Sequence, residues 1–115
     1  AATMRDFVRG MFAPGADPAL VEHVVADMAA ADPEAALALL EASLRYGRDV
    51  VEALAALALP VVAINPEEPP TDVASLERHG VRVVTMRGVG HFLMMEDTPA
   101  FNTLLADQLE AIGRG

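Results

Sequence analysis

The chain has no lysine and no cysteine, and it has only two serines, Ser43 and Ser75. Without lysine, its eight arginines are the only strong cations, and they are scattered singly against a formal net charge of −9. That pattern argues against nucleic acid and against an anionic membrane as partners, since both require clustered positive charge. Without cysteine there is no disulfide, no thiolate zinc site and no cysteine nucleophile. Cysteine usage alone does not identify a compartment, although the cytoplasm is the favoured one. Long hydrophobic runs are also missing. No stretch approaches the roughly 20 apolar residues of a membrane helix, and no basic region leads into an apolar signal segment, so the chain reads as soluble. No internal repeat is evident.

The 115 residues are 53% hydrophobic with a mean hydropathy of +0.32, enough for one small globular core. Residues 1–11 read as a helix with Phe7, Val8 and Met11 on one side, ended by Pro14-Gly15, and with a start that looks cut rather than capped. Asp17-Pro18 then supplies an N-cap and a first-turn proline for a helix striped by Leu20, Val21, Val24, Val25 and Met28. Asp32-Pro33 repeats the device for a helix over about 33–45, with Leu37, Leu40 and Leu44 on one face and a left-handed cap expected at Gly47. A short helix over 49–58 is closed by Pro60. Residues 61–64 form a continuous apolar run, the pattern of a strand covered on both faces, and a proline-rich turn follows at 66–70. Thr71 or Asp72 caps a helix that ends at Gly80, and the β-branched residues Val81, Val83 and Val84 mark a second strand ending near Met86. Pro99 opens a last helix whose Phe101, Leu104, Leu105, Leu109 and Ile112 are expected to face inward. Strand, crossover helix and strand imply an α/β architecture with two parallel strands and a right-handed connection.

The rest is organised around residues 81–97, VRVVTMRGVGHFLMMED, which deliver His91 from a loop after the second strand. Gly88 and Gly90 let the backbone turn tightly there. This stretch resembles the α/β-hydrolase family, whose catalytic histidine sits in a Gly-x-Gly-His loop after the last strand. LPVVAINPEEPPTDV resembles the preceding strand and its acid-bearing loop, and GHFLMMEDTPAF resembles the lead into the final helix. The resemblance is specific for residues 59–112. Residues 1–58 resemble only loosely the helical lid that such enzymes insert between strands. The implied division is a lid-like helical segment over 1–58 and a carboxy-terminal hydrolase segment over 59–115.

The resemblance implies the esterase or cofactor-free haloperoxidase-like group, with no cofactor and a small ester-like substrate. His91 would take the nucleophile's proton and return it to the leaving group, while a carboxylate fixes its tautomer. In the family's chain order the acid precedes the histidine, at the end of an earlier strand, where Glu67 and Glu68 lie. The family more often places aspartate there. The choice between Glu67 and Glu68 stays open, with Glu67 first and Asp72 third. Against these roles stand plainer ones: a histidine that serves only its loop, glutamates that are solvated turn charges, and an aspartate that is a helix N-cap. Glu96 matches a family glutamate that supports the histidine loop, with Thr98 as an extra residue before the expected proline. Met94 and Met95 read as core filling rather than pocket lining. His23 and His79 read as ordinary helix residues, and no metal-ligand spacing surrounds any histidine.

The nucleophile is the decisive absence. Neither Ser43 nor Ser75 lies in a Gly-x-Ser-x-Gly elbow, and no oxyanion loop is present. The expectation is therefore a truncated or proteolysed carboxy-terminal portion of a hydrolase, inactive by itself. Its unpaired strand edge at 61–64 or 81–86 should lead it to pair with a second copy or with a missing amino-terminal portion. The alternative is a non-enzymatic helical binding module whose apolar groove takes a lipid or a partner helix.

Overall fold

The structure, a computed structural model, describes residues 3–47 and 49–114. Helix α1 (Met4–Arg9) opens with a capping box at Thr3, so its start is capped. The Asp6 backbone N–H donates to Thr3 Oγ1, and the Asp6 carboxylate accepts from the Thr3 N–H (3.0 Å) and hydroxyl (2.9 Å). The third helical residue is Asp where Glu or Gln is more usual. Residues 1 and 2 of the expected helix lie outside the described residues. The two bonds from Thr3 hold the Asp6 carboxyl below its ordinary value of 3.8. A group with a depressed native pKa stabilises the fold above its unfolded value, and that contribution disappears as the pH falls through the native one. The thermal midpoint should therefore fall on acidification below about pH 4, and Asp6→Asn should flatten that part of a melting-temperature titration. An unchanged slope in the variant would remove Asp6 from the account.

Helix α2 (Pro18–Ala29) starts as its Asp17-Pro18 pair dictates, with the Asp17 carboxylate accepting from the Ala19 N–H. It packs against α1, and Val8, Val24 and Val25 form a buried core bordered by Phe12, Leu20, Val21 and Phe92. Arg9 clamps the pair from outside through two hydrogen bonds to Glu22 Oε1, at 2.9 and 3.1 Å. With both side chains about half exposed, that pair adds well under about 1 kcal/mol, so the valines carry the contact.

Helix α3 (Pro33–Tyr46) is capped by Asp32, but its leucines do not face inward. Leu37, Leu40 and Leu44 are 57–71% exposed, and α3 has no buried residue. Gly47 ends it in the right-handed region (φ −54°), so no left-handed cap forms. Helix α4 (Val50–Ala56) likewise buries nothing. With these two helices standing off, the radius of gyration is 16.3 Å, against about 13 Å for a compact chain of this length.

Strand β1 (Val61–Pro66) runs two residues longer than its apolar run. Helix α5 (Val73–Arg78) is capped by Asp72, whose carboxylate accepts from the Ser75 N–H, and it ends before Gly80, whose φ of +76° explains the glycine. Strand β2 (Val81–Met86) pairs parallel with β1, Val61 opposite Val81 through Pro66 opposite Met86. The molecule is thus mixed α/β with a two-stranded parallel sheet. A short α6 (Leu93–Glu96) precedes α7 (Thr98–Gly113), which starts one residue before Pro99 because the Asp97 side chain caps it at Ala100. Met86, Val89 and Leu93 form a second core with Ile64, Ala100, Phe101 and Leu104, whereas Leu109, expected inward, is 60% exposed. Among the described residues no helix is long and apolar enough to cross a membrane.

Candidate functional site

The loop after β2 joins the two cores. Gly88 turns the chain at φ +73°, Val89 drops into the second core, and Phe92 and Leu93 then diverge, Phe92 toward the α1–α2 core and Leu93 toward the sheet. Phe92 meets Phe12 at a ring-centroid distance of 4.7 Å. His91 lies between these anchors. Its backbone N–H donates to Met11 O at 2.7 Å, so the loop is stitched to residues 11–13. Glu96 completes the stitch: both its carboxylate oxygens accept from the Gly90 N–H at 3.0 Å, and Oε2 also accepts from the Ala13 N–H at 3.0 Å.

With its backbone fixed, the His91 side chain remains exposed, its ring edge-on to Phe92 at 5.2 Å. It borders an open cleft of about 630 Å³ between the α1 end of the molecule and the carboxy-terminal end of the sheet. Phe7, Met11, Phe12 and Pro14 form one wall, and Glu67, Glu68 and Pro69 line the other side. The two glutamates arrive there because the ladder continues past β1: the Glu67 N–H donates to Met86 O at 3.0 Å, and Asn65 Nδ2 bonds Thr71 Oγ1 across the turn.

The structure thus gathers His91, Glu67 and Glu68 around one cleft but does not hydrogen-bond them. Glu67 Oε1 lies 3.5 Å from Arg87 Nε, and among the described residues no carboxylate comes within 4 Å of the His91 imidazole nitrogens. Asp72 is committed to capping α5 and does not line the cleft. No serine, threonine or tyrosine among the described residues lines it either. Ser43 donates to Leu39 O on α3, and Ser75 lies within α5. His23 sits 3.8 Å from Asp27 on the exposed side of α2, far from any cluster of ligands. Among the described residues no three His, Asp or Glu side chains gather as a metal site would require. Chemically, then, the cleft offers an exposed imidazole, two nearby carboxylates and an apolar wall, and among the described residues no hydroxyl or thiol lines it.

A sequence reading misses the residue 11–13 wall and its bond to His91, whose partners are some 80 positions apart. The one available signal is that Phe12 and Phe92 are two of only four phenylalanines. In comparisons with known proteins, no family model matches the chain, and no curated protein or solved structure matches it.

Proposed function

We propose that this chain is the carboxy-terminal portion of an α/β-hydrolase of the esterase or cofactor-free haloperoxidase-like kind, in which His91 is the general base and Glu67 or Glu68 its orienting acid. The observation that carries this reading is the shared cleft: an exposed histidine on a Gly-x-Gly loop and two glutamates, each following one of two adjacent parallel strands. Sites of open α/β sheets collect at the carboxy ends of the strands, which is where these three residues lie. The nucleophilic hydroxyl comes from an upstream segment of the parent. His91 accepts its proton as it attacks an ester carbonyl and returns that proton to the leaving alkoxide, and the acid holds the imidazole in the required tautomer. The apolar wall receives the acyl or alcohol part of a small ester.

In the full-length parent, His91→Ala should lower turnover of a small ester by at least about a hundredfold while leaving the melt unchanged. Glu67→Gln and Glu68→Gln should differ sharply, the orienting acid losing orders of magnitude and its neighbour little. Unchanged turnover in His91→Ala would end the assignment, and equal small losses in both glutamate variants would make them surface charges. A second reading, a non-enzymatic binding module, draws on the exposed leucine face of α3. A parent gene with no nucleophile elbow upstream would favour it.

A further inference from the structure

We propose, resting on the reading of this cleft as an ester-hydrolase site, that its substrate carries a compact organic cation, an alkylammonium group, held between the Glu68 carboxylate and the ring of Phe7. The cleft of about 630 Å³ has the volume of a small-molecule site. Among the described residues that line it, Glu67 and Glu68 are the only carboxylates, His91 is the only basic side chain, and no arginine is present. The arginines of the flanking elements are engaged elsewhere. Arg5 and Arg9 of α1 both meet Glu22 of α2, at 3.9 and 2.9 Å, and Arg87 Nε lies 3.5 Å from Glu67 Oε1. Glu67 therefore has a counter-ion, whereas among the described residues no cationic side chain comes within 4 Å of the Glu68 carboxylate. Only one of the two glutamates can orient the imidazole, so the cleft keeps a carboxylate beyond what the triad needs. An anionic substrate would be repelled there, and a cationic one would supply the missing charge.

The opposite wall provides the other half of the recognition. Val8 is fully buried in the α1–α2 core, which fixes the rotation of α1, and the bond from the His91 N–H to Met11 O ties down the chain that follows it. Phe7, next to that anchor, lines the cleft with 61% of its surface exposed, so its ring is open to a ligand. The negative face of an aromatic ring attracts an ammonium group more strongly than a neutral group of the same size. Met11, Phe12 and Pro14 extend the wall and would cover the carbon atoms around the nitrogen. A metal ion would gain nothing from such a wall, and among the described residues no three His, Asp or Glu side chains gather to bind one. Both walls come from residues 7–14, 67–69 and 88–91, so an upstream segment that brings the hydroxyl adds to them and does not replace them.

Three probes that share one ring and differ in charge test this on the chain itself: benzyltrimethylammonium, benzyl alcohol and benzoate, each titrated at millimolar concentration against the amide resonances. The cation should bind about tenfold more tightly than the alcohol, with shifts at Phe7, Glu68 and His91, and benzoate should not bind. Glu68→Gln should weaken binding of the cation about tenfold, to the level of the alcohol, and Phe7→Leu should weaken it about threefold. Glu34→Gln removes the same charge from the exposed start of α3 and should leave the affinity unchanged, which separates a site from the general attraction of a chain of net charge −9. The titration involves no turnover, so a negative result leaves the His91→Ala test of ester hydrolysis standing, and a positive one survives the failure of that test. Equal affinities for the cation and the alcohol, shifts confined to residues outside the cleft, or an equal loss in Glu34→Gln and Glu68→Gln overturns the proposal.

Discussion

Gly90→Ala is expected to destabilise the fold by about 3 kcal/mol, the upper end of what overpacking costs. A Cβ at this position would clash with Met11 O and would lie 2.7 Å from Ala13 N and 2.8 Å from Phe12 C. All three are backbone atoms, which no rotamer change can move aside. The wall must retreat, and with it goes the bond from His91 N–H to Met11 O. Gly88→Ala makes the internal control. At Gly88 nothing lies within 4 Å of an added Cβ, and the cost is only that of a left-handed φ of +73° for a residue with a side chain, about 1 kcal/mol. Urea denaturation should therefore rank Gly90→Ala well below Gly88→Ala in stability, and amide exchange at His91 should accelerate in the first variant alone. The reverse order would mean that the loop does not press on residues 11–13.

Glu96→Ala should cost nearly as much, again about 3 kcal/mol, since hydrogen bonds to a charged acceptor contribute about 1.5–3 kcal/mol each and two backbone donors would lose theirs. Those donors, the N–H groups of Gly90 and Ala13, belong to segments joined by this carboxylate, by the neighbouring His91–Met11 bond and by the contact of Phe12 with Phe92. Gly90 is buried, so its N–H has no ready replacement in water. Glu96→Gln keeps one acceptor oxygen and should retain about half of the stabilisation. The informative measurement is residue-resolved amide exchange: Gly90 and Ala13 should lose protection together. Loss at Gly90 with Ala13 unaffected would reduce Glu96 to a local support of its own loop. Since Gly90→Ala and Glu96→Ala disrupt one junction, the double variant should lose less than the sum of the two.

Which parts of this molecule were legible in the sequence follows from the range of the forces involved. The helix starts at Asp17-Pro18 and Asp32-Pro33, the stop at Gly80 and the strand ending at Met86 were readable because caps, turns and β-branched runs act over a few residues. His91 was readable for the same reason, as a histidine between turn-forming glycines and a helix start. The α1 capping box is equally local, with aspartate in the place more often held by glutamate. The tertiary structure alone decided the rest. Leu37, Leu40 and Leu44 have the spacing of a core stripe, yet spacing cannot say whether another element stands opposite, and among the described residues all three stay exposed. Gly90 looked like a turn residue, but its φ needs no glycine, and the demand for one comes from a backbone segment nearly 80 residues earlier in the chain. Sequence order puts Glu67 and Glu68 in the turn after β1, whereas their position across a cleft from His91, and the contact of Glu67 with Arg87, depend on how two cores meet around Phe92. That meeting is a long-range packing event, and no pattern within a few residues of any of these side chains encodes it.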